Sequence, residues 1–143
     1  MIMGLDNGII VKAKTLRGSR FLEKYFSYLD KFGTGYELAY WRKCYNIRSK
    51  ILECVKNAYD AGEFELNLTD LVQVLEVMKY FLDKENWYEE GGSIWTWEEQ
   101  LRNIADVIYN VTKFVEYLED GEGDLPEDEV SAEDFEILWY DSY

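Results

Sequence analysis

The sequence predicts one α+β domain, mainly α, in which about four helices accompany a small sheet that pairs the N- and C-terminal strands. Apolar residues recur at three- and four-residue steps over four long segments, which is typical of amphipathic helices. Runs of β-branched and aromatic residues near both ends of the chain indicate strands. With 143 residues, the chain is long enough for one core and short for two, so we expect a single domain over residues 1–143.

The first predicted elements are a strand over residues 8–14 and a helix over residues 20–32. Asn7 and Gly8 have turn chemistry, and a β-branched run follows them. Ser19 is the predicted cap of the helix. Gly33 stands where a residue in the left-handed conformation would end it.

A long helix over residues 35–59 is expected to organise the rest of the fold. It would begin at Thr34, because Glu37 three positions later completes a capping box. Two apolar stripes run along the segment, so we expect neighbours on two sides of the helix. Cys44 and Cys54 would lie about 15 Å apart on it, too far for a disulfide, and both are expected to be buried apolar residues.

Two further helices are predicted over residues 68–84 and about 96–118. Asn67 or Thr69 caps the first, and Thr96 opens a capping box at the start of the second. Both segments carry a wide apolar face, which indicates that they pack on the core.

The remaining segments are two loops and a final strand. A polar loop rich in aromatic residues is predicted over residues 86–93, and an acidic loop over residues 119–134. The apolar run at 135–140 has strand chemistry and suits pairing beside the N-terminal strand.

Charge is distributed unevenly along the chain. The net charge is −14, with +6 over residues 1–56 and −20 over residues 57–143. The acidic part should repel nucleic acid and attract basic surfaces, so we expect a basic protein surface as the partner and no direct binding of nucleic acid. No apolar run approaches the roughly 20 residues that cross a bilayer, so no membrane partner is expected.

The signatures of common enzymes are absent from the sequence. The chain has no histidine, which is the usual general base and zinc ligand. It has no P-loop, no dinucleotide-binding glycine turn and no nucleophile elbow. We therefore expect a protein that is not an enzyme and that uses neither a cofactor nor a metal.

Two sets of residues are candidates for binding. In one interpretation, an anionic ligand is held by Trp41, Arg42, Lys43 and Arg48; in the other, the aromatic residues of this set belong to the core. A partner protein would contact the aromatic loop and the acidic run, since aromatic residues dominate interface hot spots. The predicted partner-binding residues are Trp87, Trp95, Trp97, Glu119, Asp120, Glu122, Asp124, Glu127, Asp128 and Glu129.

Three stretches carry a resemblance to a family. They are Gly4-Leu5-Asp6, the block from Glu37 to Lys43, and the aromatic stretch from Phe135 to Tyr143. Together they resemble the small uncharacterised phage and prophage proteins that begin MGLD and carry an E-x-x-Y-W-R-K motif on a helix. Members of that family often have a histidine where this chain has Arg48, so no acid–base role of that histidine carries over.

The resemblance implies a phage-like protein that acts in the cytoplasm of a bacterial host cell. Combined with the charge pattern, it predicts an acidic interaction protein that inhibits or decoys a basic host protein of nucleic-acid handling or defence. Two alternatives remain open. One is a small anionic-ligand or nucleotide-binding protein that uses the YWRK segment, and the other is a homo-oligomeric phage accessory protein.

Overall fold

The computed structural model describes residues 6–55, 63–91, 95–120 and 129–142. These residues form a five-stranded antiparallel sheet and five α-helices, which confirms the α+β class, with one helix more than predicted. The strands are β1 (Asp6–Ala13), β2 (Lys31–Phe32), β3 (Gly35–Arg42), β4 (Phe64–Glu65) and β5 (Phe135–Ser142). The helices are α1 (Leu16–Phe26), α2 (Tyr45–Cys54), α3 (Leu68–Tyr80), α4 (Lys84–Glu90) and α5 (Trp97–Asp120).

The sheet has the strand order β2-β3-β1-β5-β4, with β1 at its centre. β1 and β5 pair in register from Asp6 opposite Ser142 to Ala13 opposite Phe135, which confirms the predicted pairing of the terminal strands. Ile9 and Ile10 are both buried, although successive strand residues point to opposite faces. A strand whose residues are buried on both sides has a continuous run of apolar residues. This explains why the run at residues 9–11 predicted strand β1 correctly.

The predicted helix over residues 35–59 is wrong. Residues 35–42 form strand β3, which pairs with β1, and residues 45–54 are helical. The last part of the predicted helix, 56–59, lies outside the described residues. The pairing contains a β-bulge at Leu38, where Ile9 pairs with Ala39 but Ile10 pairs with Glu37. A bulge shifts the phase of side-chain alternation, so Leu38 and Trp41 are both buried three positions apart and imitate helical spacing.

The capping signals have mixed outcomes. Thr15, not Ser19, caps α1 by accepting a hydrogen bond from the backbone amide of Gly18, at 3.0 Å. Gly33 does not end that helix; its φ of +63° belongs to the turn between β2 and β3. Of the two residues predicted to cap α3, Asn67 is the cap, and its side chain accepts from the amide of Asp70. The capping box at Thr96 is confirmed by the two hydrogen bonds between Thr96 and Glu99.

Helix α1 packs against β1 and helix α5 against β3, while α3 packs on α5 and α2 packs on α3. The shared core contains Val11, Trp41 and Trp139 from the sheet together with apolar residues of these four helices. Cys44 is buried as predicted, whereas Cys54 is exposed. The predicted loop at 86–93 is partly helix α4. None of the helices in the described part of the chain is long and apolar enough to span a membrane.

Candidate functional site

Helix α5 covers the part of strand β3 that β2 leaves unpaired. β2 pairs only with residues 35 and 36 of β3. Beyond them, the Asn103 side-chain amide donates to the carbonyl oxygen of Tyr40 at 2.8 Å, and the Asn110 amide donates to the carbonyl oxygen of Leu38 at 3.4 Å. The two asparagines thus satisfy carbonyl groups that an exposed sheet edge would present to another chain.

A cavity of about 290 Å³ lies between this edge of β3, helix α5 and the end of helix α1. We call it the acidic cleft. Three carboxylates and three aromatic rings line it, from elements that are far apart along the chain. The six side chains are Asp30, Glu37, Asp106, Tyr28, Tyr40 and Trp95.

The electrostatics of the acidic cleft favour a positively charged ligand. Burial and the nearby carboxylates of Asp30 and Asp6 raise the pKa of Glu37, against the opposing effect of a hydrogen bond from Tyr140. Burial, with a smaller contribution from Asp6, raises the pKa of Tyr40 to about 12. No salt bridge of the described residues involves Asp30, Glu37 or Asp106. None of the three carboxylates therefore has a cationic partner within salt-bridge distance among the described residues.

Asn103 of helix α5 also lines the cleft. Its Nδ2 donates to the Tyr40 carbonyl, which can only accept, so the orientation of the amide is defined. Its Oδ1 is buried and has no hydrogen-bond partner among the described residues. The defined role of Asn103 is therefore the hydrogen bond that joins α5 to the edge of β3.

Two tyrosine–carboxylate pairs extend the negative surface from the cleft across the outer face of the sheet. The hydroxyl of Tyr40 donates to Asp6 Oδ1 at 2.8 Å, and the hydroxyl of Tyr140 donates to Glu37 Oε2 at 3.1 Å. Tyr140 crosses the sheet over Gly8, where an added Cβ would lie 2.9 Å from its ring. Phe32 stacks on Tyr140 with a centroid distance of 4.9 Å. These side chains present acidic and aromatic groups on one surface, and no side chain of the shared core is among them.

The structure does not bring the predicted anion-binding residues together. Trp41 is fully buried in the core, 5.8 Å from the ring of Trp139. Arg42, the next strand residue, is exposed on the opposite face, and Lys43 occupies a turn with φ of 51°. Arg48 forms a bidentate pair with Asp141. Because these four side chains point apart, they do not surround one anionic group.

The predicted partner-binding residues are also dispersed. Trp87 is buried in α4 and packs on Trp97, which is half-buried, at a centroid distance of 5.7 Å. Trp95 lines the acidic cleft, whereas Trp87 and Trp97 are not among the residues that line it. Glu119 and Glu129 are exposed.

Asp120 is the last residue of α5. The predicted residues Glu122, Asp124, Glu127 and Asp128 lie outside the described residues.

Sequence reasoning missed Tyr28, Asp30, Asn103, Asp106 and Asn110. The last three recur at steps of three and four on α5, so they form a polar stripe beside its apolar face. That stripe was visible in the sequence, but its contact with β3 was not. Comparisons with known protein families, with curated proteins and with solved structures found no match to this chain.

Proposed function

We propose that this protein is an interaction module that binds a basic segment of a partner protein and receives an arginine or lysine side chain in the acidic cleft. The observation that carries the proposal is the cleft itself. It joins three carboxylates and three aromatic rings, and none of its carboxylates has a salt bridge within the described residues.

Each part of the cleft matches a feature of a cationic side chain. A guanidinium or ammonium group carries only hydrogen-bond donors, which suits the carboxylates. Its positive charge is attracted to the faces of tyrosine and tryptophan rings, an interaction of roughly 0.5–2 kcal/mol. It would also offset the repulsion from Asp30 and Asp6 that adds to burial in raising the pKa of Glu37.

The charge of the whole chain supports the same kind of partner. A net charge of −14 produces a long-range field that accelerates encounter with a basic surface and weakens as salt is added. Proteins that handle nucleic acid present such lysine- and arginine-rich surfaces to phosphates. We therefore propose an inhibitor or decoy that competes with nucleic acid for a host protein, in line with the resemblance to phage proteins.

Neutralising two exposed carboxylates of the cleft tests this proposal. The cleft variant combines Asp30→Asn and Asp106→Asn, and the matched control combines Glu76→Gln and Glu133→Gln, which are also exposed and remove the same charge. Isothermal titration with an oligo-arginine peptide is expected to show at least tenfold weaker binding, about 1.4 kcal/mol, for the cleft variant only. Equal weakening of both variants would mean that only the overall charge attracts the peptide, and would contradict the proposed site.

Two further measurements ask whether the ligand is a small amine or a protein segment, and whether the cleft or the acidic run binds it. Spermine, a free polyamine, is titrated in parallel; if it binds more tightly than the peptide, the ligand is a small amine and not a protein segment. A third variant changes Glu119, Glu122, Asp124, Glu127, Asp128 and Glu129 to amides. If that variant alone loses the peptide, the acidic run is the binding surface and the cleft is not.

A further inference from the structure

A second, larger cavity also lies along helix α5. It has a volume of about 680 Å³, and we call it the apolar groove. Leu82 forms one wall, while Ile108, Tyr109, Thr112 and Tyr117 of α5 are among the residues of the other. The α5 residues that line the groove run from position 105 to position 117, which corresponds to about 18 Å along the helix axis. This length matches about three turns of a second helix.

The apolar groove and the acidic cleft are separated by a single layer of side chains. Tyr28 lines the cleft and Tyr109 lines the groove, and their rings meet edge to face with a centroid distance of 6.4 Å. Asp106, on the cleft side, precedes Tyr109 by three residues on α5. One bound segment can therefore reach both cavities.

Lys113 lines the apolar groove and lies next to Tyr28 of the cleft. The Nζ atom of Lys113 donates to the backbone carbonyl oxygen of Tyr25 at 2.6 Å. It also lies 4.6 Å from the ring centroid of Tyr28 and 5.8 Å from that of Tyr109. These contacts fix the position of the ammonium group against the two tyrosine rings.

We propose that the partner segment is a basic amphipathic helix, whose apolar side occupies the groove while an arginine or lysine reaches over Tyr109 into the cleft. This inference rests on the proposed function and names the form of the partner. Docking of an amphipathic helix into an apolar groove is a common mode of peptide recognition, with anchors at every third or fourth residue. The negative charge of the adjacent cleft selects positively charged residues at the edge of such a helix.

Two peptides of identical composition test the form of the partner. The first contains leucine and arginine arranged so that all leucines lie on one helical face, and the second has the same residues in scrambled order. The ordered peptide is expected to bind at least tenfold more tightly in isothermal titration. Equal affinities would overturn this inference and leave the proposed function intact, whereas failure of both peptides to bind would overturn the proposed function as well.

Two exposed tyrosines provide a matched pair of variants for the groove. Tyr109 is 60% exposed and Tyr88, on α4, is 62% exposed. Tyr109→Ala is expected to reduce the affinity ratio between the ordered and scrambled peptides at least threefold, whereas Tyr88→Ala should leave it unchanged. A ratio that stays the same in Tyr109→Ala contradicts the inference, provided that circular dichroism shows that the variant is folded.

A second copy of this chain is the competing occupant of the groove. Light scattering over a range of concentrations measures the mass of the wild type and of Tyr109→Ala. A monomer in both cases agrees with the inference. A wild-type dimer that Tyr109→Ala dissociates would overturn it, because the groove would then be a homodimer interface.

Discussion

Replacing Arg48 by methionine is expected to destabilise the protein by about 3–5 kcal/mol, because it leaves the carboxylate of Asp141 buried without its partner. The two side chains form parallel hydrogen bonds of 3.1 Å and 3.0 Å between α2 and β5. The Asp141 side chain is 0% exposed and that of Arg48 is 15% exposed. Water can therefore replace little of the lost interaction, and methionine keeps the length of the apolar part of the side chain.

The expected loss of about 3–5 kcal/mol depends on the burial of the Arg48–Asp141 pair, so an exposed salt bridge serves as the control. Lys79 and Glu76 also form a salt bridge, at 3.3 Å, but both side chains lie in solvent. Lys79→Met is expected to cost less than about 1 kcal/mol. For a chain of this size, a loss of 3–5 kcal/mol corresponds to a decrease in melting temperature of roughly 6–20 °C.

Urea denaturation followed by far-ultraviolet circular dichroism measures both variants. The double variant Arg48→Met/Asp141→Asn is expected to lose less than the sum of the two single variants, because one change removes the charge that the other leaves unpaired. The pair does not stabilise the fold in the way described if Arg48→Met lowers the free energy of unfolding no more than Lys79→Met does. The same conclusion holds if the loss in the double variant equals the sum of the losses in the two single variants.

Three further outcomes are expected. Gly8→Ala should destabilise the protein by about 1–3 kcal/mol in urea denaturation, because the added Cβ would lie 2.5 Å from the backbone carbonyl oxygen of Ala39 and 2.9 Å from the ring of Tyr140. In contrast, a Cβ at Gly33 meets no atom within 4 Å and adds only left-handed strain. Asn67→Ala should cost roughly 0.5–2 kcal/mol by the same measurement, through loss of the N-cap of α3. Glu37→Gln should increase the free energy of unfolding at pH 7 and weaken binding of the oligo-arginine peptide. Burial raises the pKa of Glu37, so the folded state favours the protonated form. The stabilisation of the wild type by this proton is complete below the ordinary glutamate pKa and is lost as the pH rises through the raised pKa. The stability advantage of Glu37→Gln should therefore vanish in acid, and a variant less stable than the wild type at pH 7 would contradict the expected sign.

Local signals were sufficient for several elements of the fold. The capping boxes at Asn67 and Thr96 depend on hydrogen bonds between residues three positions apart, and both helices begin where the sequence places them. The apolar run at residues 9–11 identified the central strand, because burial on both faces leaves no polar alternation. The aromatic run that begins at Phe135 identified its partner strand.

Strand β3 shows where local signals fail. The bulge at Leu38 places apolar residues three positions apart, which is the spacing that a helix would also produce. The pairing with β1 decides between the two conformations, since it provides hydrogen-bond partners from residues about thirty positions away. Propensity over a short window does not contain that information.

The acidic cleft depends on tertiary structure for the same reason. The block from Glu37 to Lys43 was recognised as distinctive, but its predicted helix would have placed Glu37 and Tyr40 on a different surface. Asp30 follows α1, Glu37 lies on β3 and Asp106 lies on α5, and each alone reads as an ordinary surface carboxylate. The three carboxylates lie close together only because α5 packs along the edge of β3. That packing results from the burial of apolar side chains that are far apart in the sequence, so no local pattern predicts it.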